Sequence, residues 1–291
     1  MGCGASAPSS GTPAMAPGGQ DFNATAVSDL PKMAAGATAQ MQMPSVAPTS
    51  GGGGAGGDAL LKDFFGGEVK SSWVFDSSEL VSFLAHFWDD RPELTDDECP
   101  RGNFSSIEDM RAQIRAFVDG LMERAEKPIE AGDLTSAVHL LICNGCYTAA
   151  RHLVEQHGVD IGPKEGCDED TGIDNALHAA VKNMWEGGLS IQWLHEELGI
   201  PFTAKGFSEM GVLAYAISCC SGSDKFLLRK YPEIAAIRIG AEGDSALHEL
   251  ARMGELGNLT DEVKELLKKK GLTEETLNGE GKKPADVAFG S

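Results

Sequence analysis

The chain has 291 residues, 42% of them hydrophobic and 23% charged, with 24 Lys plus Arg against 44 Asp plus Glu and a net charge of −20. Nucleic-acid binding needs a positive footprint that displaces counterions, and this balance excludes one. No run of 18 or more apolar residues occurs, so no transmembrane helix is expected, and the length suits one or two domains.

Residues 1–57 hold 12 Gly, 12 Ala and 6 Pro, and only Asp21, Asp29 and Lys32 are charged. Such a segment cannot bury enough apolar surface to offset chain entropy, so a disordered tether is expected. It opens on Met1-Gly2-Cys3-Gly4-Ala5-Ser6, which fits the Met-Gly-x-x-x-Ser/Thr pattern for N-myristoylation at Gly2. One myristoyl chain binds membranes marginally, with K about 10⁴ M⁻¹, so a second signal is needed. Lys32 is the tether's only basic residue, which rules out a polybasic patch and leaves palmitoylation of Cys3. No basic stretch leads into an apolar one, so no secretory signal is expected. The expected address is cytoplasmic, peripheral on the cytosolic face of a membrane. The acidic charge is compatible with this. A Gly-rich coil of 57 residues spans about 40 Å, whereas charge is screened over about 8 Å.

Residues 58–128 read as a helical capping segment. Asp76-Ser77-Ser78-Glu79 forms a capping box, followed by Leu80, Phe83, Leu84, Phe87 and Trp88 at helical spacing, with Pro92 as the stop. Ser105-Ser106-Ile107-Glu108 is a second box, ahead of a stripe of Ile107, Met110, Ile114, Phe117, Val118, Leu121 and Met122. Two helices cannot bury two such stripes alone, so they are expected to cover the first unit of the segment C-terminal to them. Trp73-Val74-Phe75 reads as either a short strand or a docking turn.

Residues 129–291 repeat. Val138-His139-Leu140-Leu141, Leu177-His178-Ala179-Ala180 and Leu247-His248-Glu249-Leu250 place histidines 39 and then 70 residues apart, the second gap being two units of about 35. The doubled gap predicts a worn copy, and Leu213-Ala214-Tyr215-Ala216 supplies it with alanine in place of histidine. A fifth start runs from Asn278 through Pro284 to Ala288.

Ser136-Ala137-Val138-His139, Asn175-Ala176-Leu177-His178 and Ser245-Ala246-Leu247-His248 resemble the Thr-Pro-Leu-His-x-Ala opening of the ankyrin repeat. Lys283-Pro284-Ala285-Asp286-Val287-Ala288 resembles its closing unit. Departures are a spacing above the usual ~33, the lost histidine at Ala214, and apparent insertions at 184–188 and 255–260. The resemblance implies an all-α, ankyrin-like repeat solenoid of about five units behind the N-terminal helical cap and disordered tail. Expected core positions are Leu140, Leu141, Leu153, Val154, Leu177, Ala180, Leu194, Leu198, Leu213, Leu227, Leu247, Leu250, Val263 and Leu267. The resemblance also implies that His139, His178 and His248 are structural, bridging turns between units. Partner contacts in the family fall on turn tips and first helices, which here points to Asp168, Glu169, Asp170, Asp174, Asp244, Arg252 and Met253.

No enzyme signature accompanies the array: there is no phosphate loop, no nucleophile elbow and no His-Glu-x-x-His pair, since His195-Glu196-Glu197 lacks a second histidine. No cofactor or metal is expected. Asp168-Glu169-Asp170-Thr171-Gly172 fails the calcium-loop spacing and has Ala179 at position twelve, where a bidentate acid belongs. Cys143-Asn144-Gly145-Cys146 has redox or half-zinc-site spacing, but Gly145 falls at an inter-helix turn and Cys219-Cys220 is wrongly spaced to complete a site. The leading expectation is a non-enzymatic, membrane-tethered scaffold recruiting a protein partner, a basic one given the acidic tips. The second is a thiol redox or zinc sensor on Cys143 and Cys146.

Overall fold

The computed structural model describes residues 84, 89–91, 95, 104–124, 134–170, 172–182 and 188–288. The tether with Gly2 and Cys3, the Asp76-to-Glu79 box, Trp73-Val74-Phe75 and most of the 184–188 insertion lie outside them.

Helix α1 (Ile107–Arg124) buries Met110, Ile114, Phe117, Val118 and Leu121 along one face. Its cap residue sits one position later than the sequence suggested. Ser106 Oγ accepts from Asp109 N at 3.1 Å, and the Asp109 carboxylate accepts from Ser105 N at 2.8 Å. With Ser106 as the cap, Asp109 occupies the third helical position, where a side chain can reach back. Glu108 turns instead to Arg115, 2.8 Å away.

Beyond α1 the chain forms four helix pairs: α2 (Thr135–Cys143) with α3 (Tyr147–His157), α4 (Ala176–Val181) with α5 (Leu189–Gln192), α6 (Val212–Cys219) with α7 (Ser223–Lys230), and α8 (Ala246–Met253) with α9 (Asp261–Lys269). Helix α5 continues as a π-helical turn over Trp193–Glu197. A single 3₁₀ turn, Pro284–Val287, stands where a fifth unit would begin. First helices pack in series, α2 on α4, α4 on α6 and α6 on α8, with the 3₁₀ turn against α8; α1 packs on α3. The architecture is therefore an all-α, ankyrin-like ladder with a helical cap, and α6 occupies the worn copy's place. Among the described residues there is no strand, and no helix is long and apolar enough to cross a membrane. The turns before α4, α6 and α8 instead close through isolated antiparallel bridges, Asp168–Ile173, Lys205–Gly211 and Ile239–Asp244.

Most expected core positions are buried, including Leu141, Leu177, Leu194, Leu227, Leu250 and Val263. Leu140 is a correction, being 40% exposed. Helix α2 buries Ala137, Val138, Leu141 and Ile142, and a neighbour in sequence is rotated about 100° away from that face. Val154 and Leu198 are only partly buried, at the margin of the core.

Two adjacent aspartates from the cap segment hold the first two units. Asp89 and Asp90 are each 1% exposed. Asp89 accepts from Thr148 N, in the first turn of α3, at 3.0 and 3.3 Å. Asp90 Oδ1 accepts from Ser190 N at 2.6 Å, and its carbonyl accepts from Leu189 N and Gly188 N at 3.0 and 3.2 Å, all at the start of α5. Neither helix has a side-chain cap of its own, so these distant carboxylates satisfy amides that a helix start leaves without partners. Burial raises the Asp89 carboxyl, opposed by the Thr148 bonds and by Arg111, whose Nε lies 3.7 Å from it.

Candidate interaction cleft

The three repeat histidines each reach across to a turn further along. Nε2 of His139 lies 2.8 Å from Ile161 O, that of His178 2.9 Å from Met210 O, and that of His248 2.9 Å from Lys282 O. A carbonyl only accepts, so each Nε2 carries the proton and donates. His248 Nδ1 is then free to accept from Ser245 N at 3.3 Å, closing the start of α8. Burial pushes His139 and His178 below the usual histidine value, keeping both neutral near pH 7.

Two tip residues share this bridging duty. Asp174 Oδ1 accepts from Phe207 N of the following turn at 3.1 Å. Asp244 accepts from Asn278 Nδ2 at 2.8 Å and from Arg252 Nε at 2.7 Å. Burial alone would raise the Asp244 carboxyl, but the Arg252 and Asn278 bonds hold it below the ordinary value. The structure thus places Asp174 and Asp244 inside turn-to-turn contacts. Asp168 is half-buried, whereas Glu169, Asp170 and Met253 are exposed and Arg252 partly so.

A cleft of about 200 Å³ lies between the turns preceding α6 and α8, and brings together Asp244, Arg252 and Met253 from the residues singled out in the sequence. The tip at 168–173 is not part of its lining. Lys205, Glu209, Glu242 and Glu249 complete the charged wall. Four carboxylates thus face two cations. Lys205 pairs with Glu209 at 3.6 Å, and Arg252 with both Asp244 and Glu242, at 2.7 and 3.0 Å. Glu209 adopts φ 57, a left-handed conformation uncommon for a side-chain-bearing residue, which closes the tip and leaves its carboxylate exposed. Two large apolar side chains stand exposed nearby in the fold, Phe207 on the same tip and Met253 at the end of α8.

Glu249 forms the cleft's inner wall. It is 7% exposed, and its two carboxylate oxygens accept from Gly211 N at 3.1 and 3.2 Å. Burial raises its pKa to about 7, opposed by the Gly211 bond and by Lys205 and Arg252 and reinforced by Asp244. A carboxyl that changes charge near neutrality is thereby built into the cleft. Sequence reasoning missed it, although the signal was present. Unit two has Ala179 at the position where unit four has Glu249, so an acid replaces a small residue on a buried helical face.

The Cys143 and Cys146 thiols flank Asn144 and Gly145 at the α2–α3 turn. Burial raises Cys143 and pushes Cys146 well above the ordinary thiol range.

No family model matches the sequence, and no curated protein matches it. Among solved structures, the chain is similar to the ankyrin repeat domain of Bcl-3, described as a unique member of the IκB protein family, with 18% identity, a TM-score of 0.39, and 80% of this chain and 92% of that one covered. It is also similar to a chain of the complex between the predatory endopeptidase Bd0816 from Bdellovibrio bacteriovorus and the immunity protein Bd3460, with 18% identity, a TM-score of 0.31, and 52% and 89% covered. The fold rests on the ladder of helix pairs and its turn-to-turn hydrogen bonds rather than on these overlays.

Proposed function

We propose that this chain is a non-enzymatic interaction scaffold that docks a basic protein segment across the turns preceding α6 and α8. Acylation of Gly2 and Cys3 would hold it at the cytosolic face of a membrane. The observation carrying the docking half is the cleft itself, where Glu209, Glu242, Asp244 and Glu249 outnumber Lys205 and Arg252 beside the exposed Met253. A cleft wall with more carboxylates than cations around an apolar contact favours a cationic partner, with fast and salt-sensitive association. The anchoring half is supported by the Met1-Gly2-Cys3 start and the sparsely charged tether behind it. A non-enzymatic role accords with the repeat histidines His139, His178 and His248, whose Nε2 atoms are engaged by backbone carbonyls. The thiol-sensor reading at Cys143 and Cys146 has weaker support, because burial disfavours the thiolate needed for redox chemistry or metal ligation.

Proximity labelling with the full chain tests both halves. Gly2→Ala is expected to move the protein off membranes and lose membrane neighbours. Phe207→Ser with Met253→Ser is expected to keep the membrane neighbours and lose one direct partner. If the double variant labels the same proteins as the wild type, the docking face is wrong. If Gly2→Ala stays on membranes, the anchor is wrong.

A further inference from the structure

At the junction of the cap helix with the first unit, away from the residues of the cleft, three side chains converge. His152 and His157 sit on α3 and Asp119 on α1. His152 Nε2 lies 2.7 Å, and His157 Nε2 2.8 Å, from the same oxygen, Asp119 Oδ1. The two rings meet edge to face with centroids 5.5 Å apart, and the three donor atoms all lie within 4.8 Å of one another. Among the described residues, no other group of three His, Cys, Asp or Glu ligand atoms comes this close together. The histidine side chains are 11% and 21% exposed and the aspartate 48%, so two imidazoles are held by packing while the carboxylate faces water.

We propose that Asp119, His152 and His157 form a binding site for a divalent transition-metal ion, zinc in the first instance, that clips the cap helix α1 to helix α3. Two imidazole nitrogens and one carboxylate oxygen are a donor set for zinc and its neighbours, whereas calcium and magnesium take shells of oxygen. Three protein ligands with one open side leave room for water at a fourth tetrahedral position. On the aspartate side the geometry needs little adjustment. At metal–ligand distances near 2.0–2.1 Å, tetrahedral ligand atoms stand about 3.4 Å apart. Asp119 must therefore retreat by roughly 0.6 Å from contacts of 2.7 and 2.8 Å to reach that spacing, and its exposed side leaves space to do so. Each neutral imidazole then carries its proton on Nδ1 and offers the Nε2 lone pair to the ion. In the metal-free arrangement both Nε2–H groups donate to the same oxygen, which has a lone pair for each, and the ion would replace these two hydrogen bonds with three metal–ligand bonds.

Titration of the full chain with Co²⁺ and Zn²⁺ tests this, because cobalt's visible spectrum distinguishes nitrogen and oxygen ligands from thiolates. The expected result is one ion per chain, with four- or five-coordinate d–d bands and no thiolate charge-transfer band. His152→Gln and His157→Gln, which each retain an N–H donor toward Asp119, should weaken binding by about 10- to 100-fold or more, the loss already typical of outer-shell partners. Asp119→Asn should weaken it too, and being half-exposed it leaves the fold intact if either histidine variant does not. Binding that is unchanged in all three variants, a thiolate charge-transfer band at one equivalent, or no binding by the wild type would each overturn the proposal.

Discussion

Glu249→Gln separates the electrostatics of the cleft from everything else in the fold. The folded carboxyl titrates near 7 rather than 4.5, so between those values the native protein holds a proton that the unfolded chain has released. Stability therefore falls as pH rises through this window, the reverse of the usual paired carboxylate. At about 1.4 kcal/mol per pH unit, the gap sets an upper bound of about 3 kcal/mol on the loss between pH 4.5 and 8. Glutamine keeps an oxygen for Gly211 N but never ionises. The variant should match the wild type near pH 4.5 and exceed it by up to about 3 kcal/mol at pH 8. Urea unfolding of both proteins across pH 4.5–8 measures this, and the difference between them cancels titrating groups that do not interact with Glu249, such as Asp119. A difference independent of pH, or a variant less stable than the wild type at pH 8, would refute the argument that burial of the Glu249 carboxylate outweighs its compensating contacts.

Gly206→Ala should destabilise the array by about 1–3 kcal/mol, because a Cβ there would lie 2.3 Å from Asp174 Oδ1 and 2.9 Å from the His178 ring; thermal unfolding reads this. Asp89→Ala and Asp90→Ala should each cost about 1–3 kcal/mol by leaving Thr148 N or Ser190 N without its acceptor, and hydrogen exchange should show α3 or α5 opening first. His178→Ala leaves Met210 O without its donor and should cost a similar amount, about 1–3 kcal/mol, in a urea midpoint. The Phe207→Ser, Met253→Ser double variant should change stability by less than about 0.5 kcal/mol per site, as for most exposed positions, so an unfolded product would mean these side chains are not surface residues.

Local pattern carried the ladder. Leu177-His178 and Leu247-His248 mark helix starts because the signal lies in consecutive residues, and the gap between them located α6 although Ala214 had lost the histidine. Where two adjacent residues competed for one role, local pattern did not decide. Leu140 and Leu141 are alike as residues, and only the direction of the neighbouring helices set which one is buried. Ser105 and Ser106 posed the same ambiguity, resolved by the reach of Asp109.

The amino-acid order by itself determined that helices recur, where the turns fall, and that the body is acidic. It also determined the Met1-Gly2-Cys3 start and the sparsely charged stretch behind it. Only the tertiary structure decided which polar groups face one another. Asp89 meets Thr148 across 59 residues, Asp90 meets Ser190 across 100, and Asp119 meets His152 across 33. Hydrogen bonds and ion pairs act over a few ångströms of space whatever the separation along the chain. Such partners are set by how helices stack, and helix periodicity carries no trace of them.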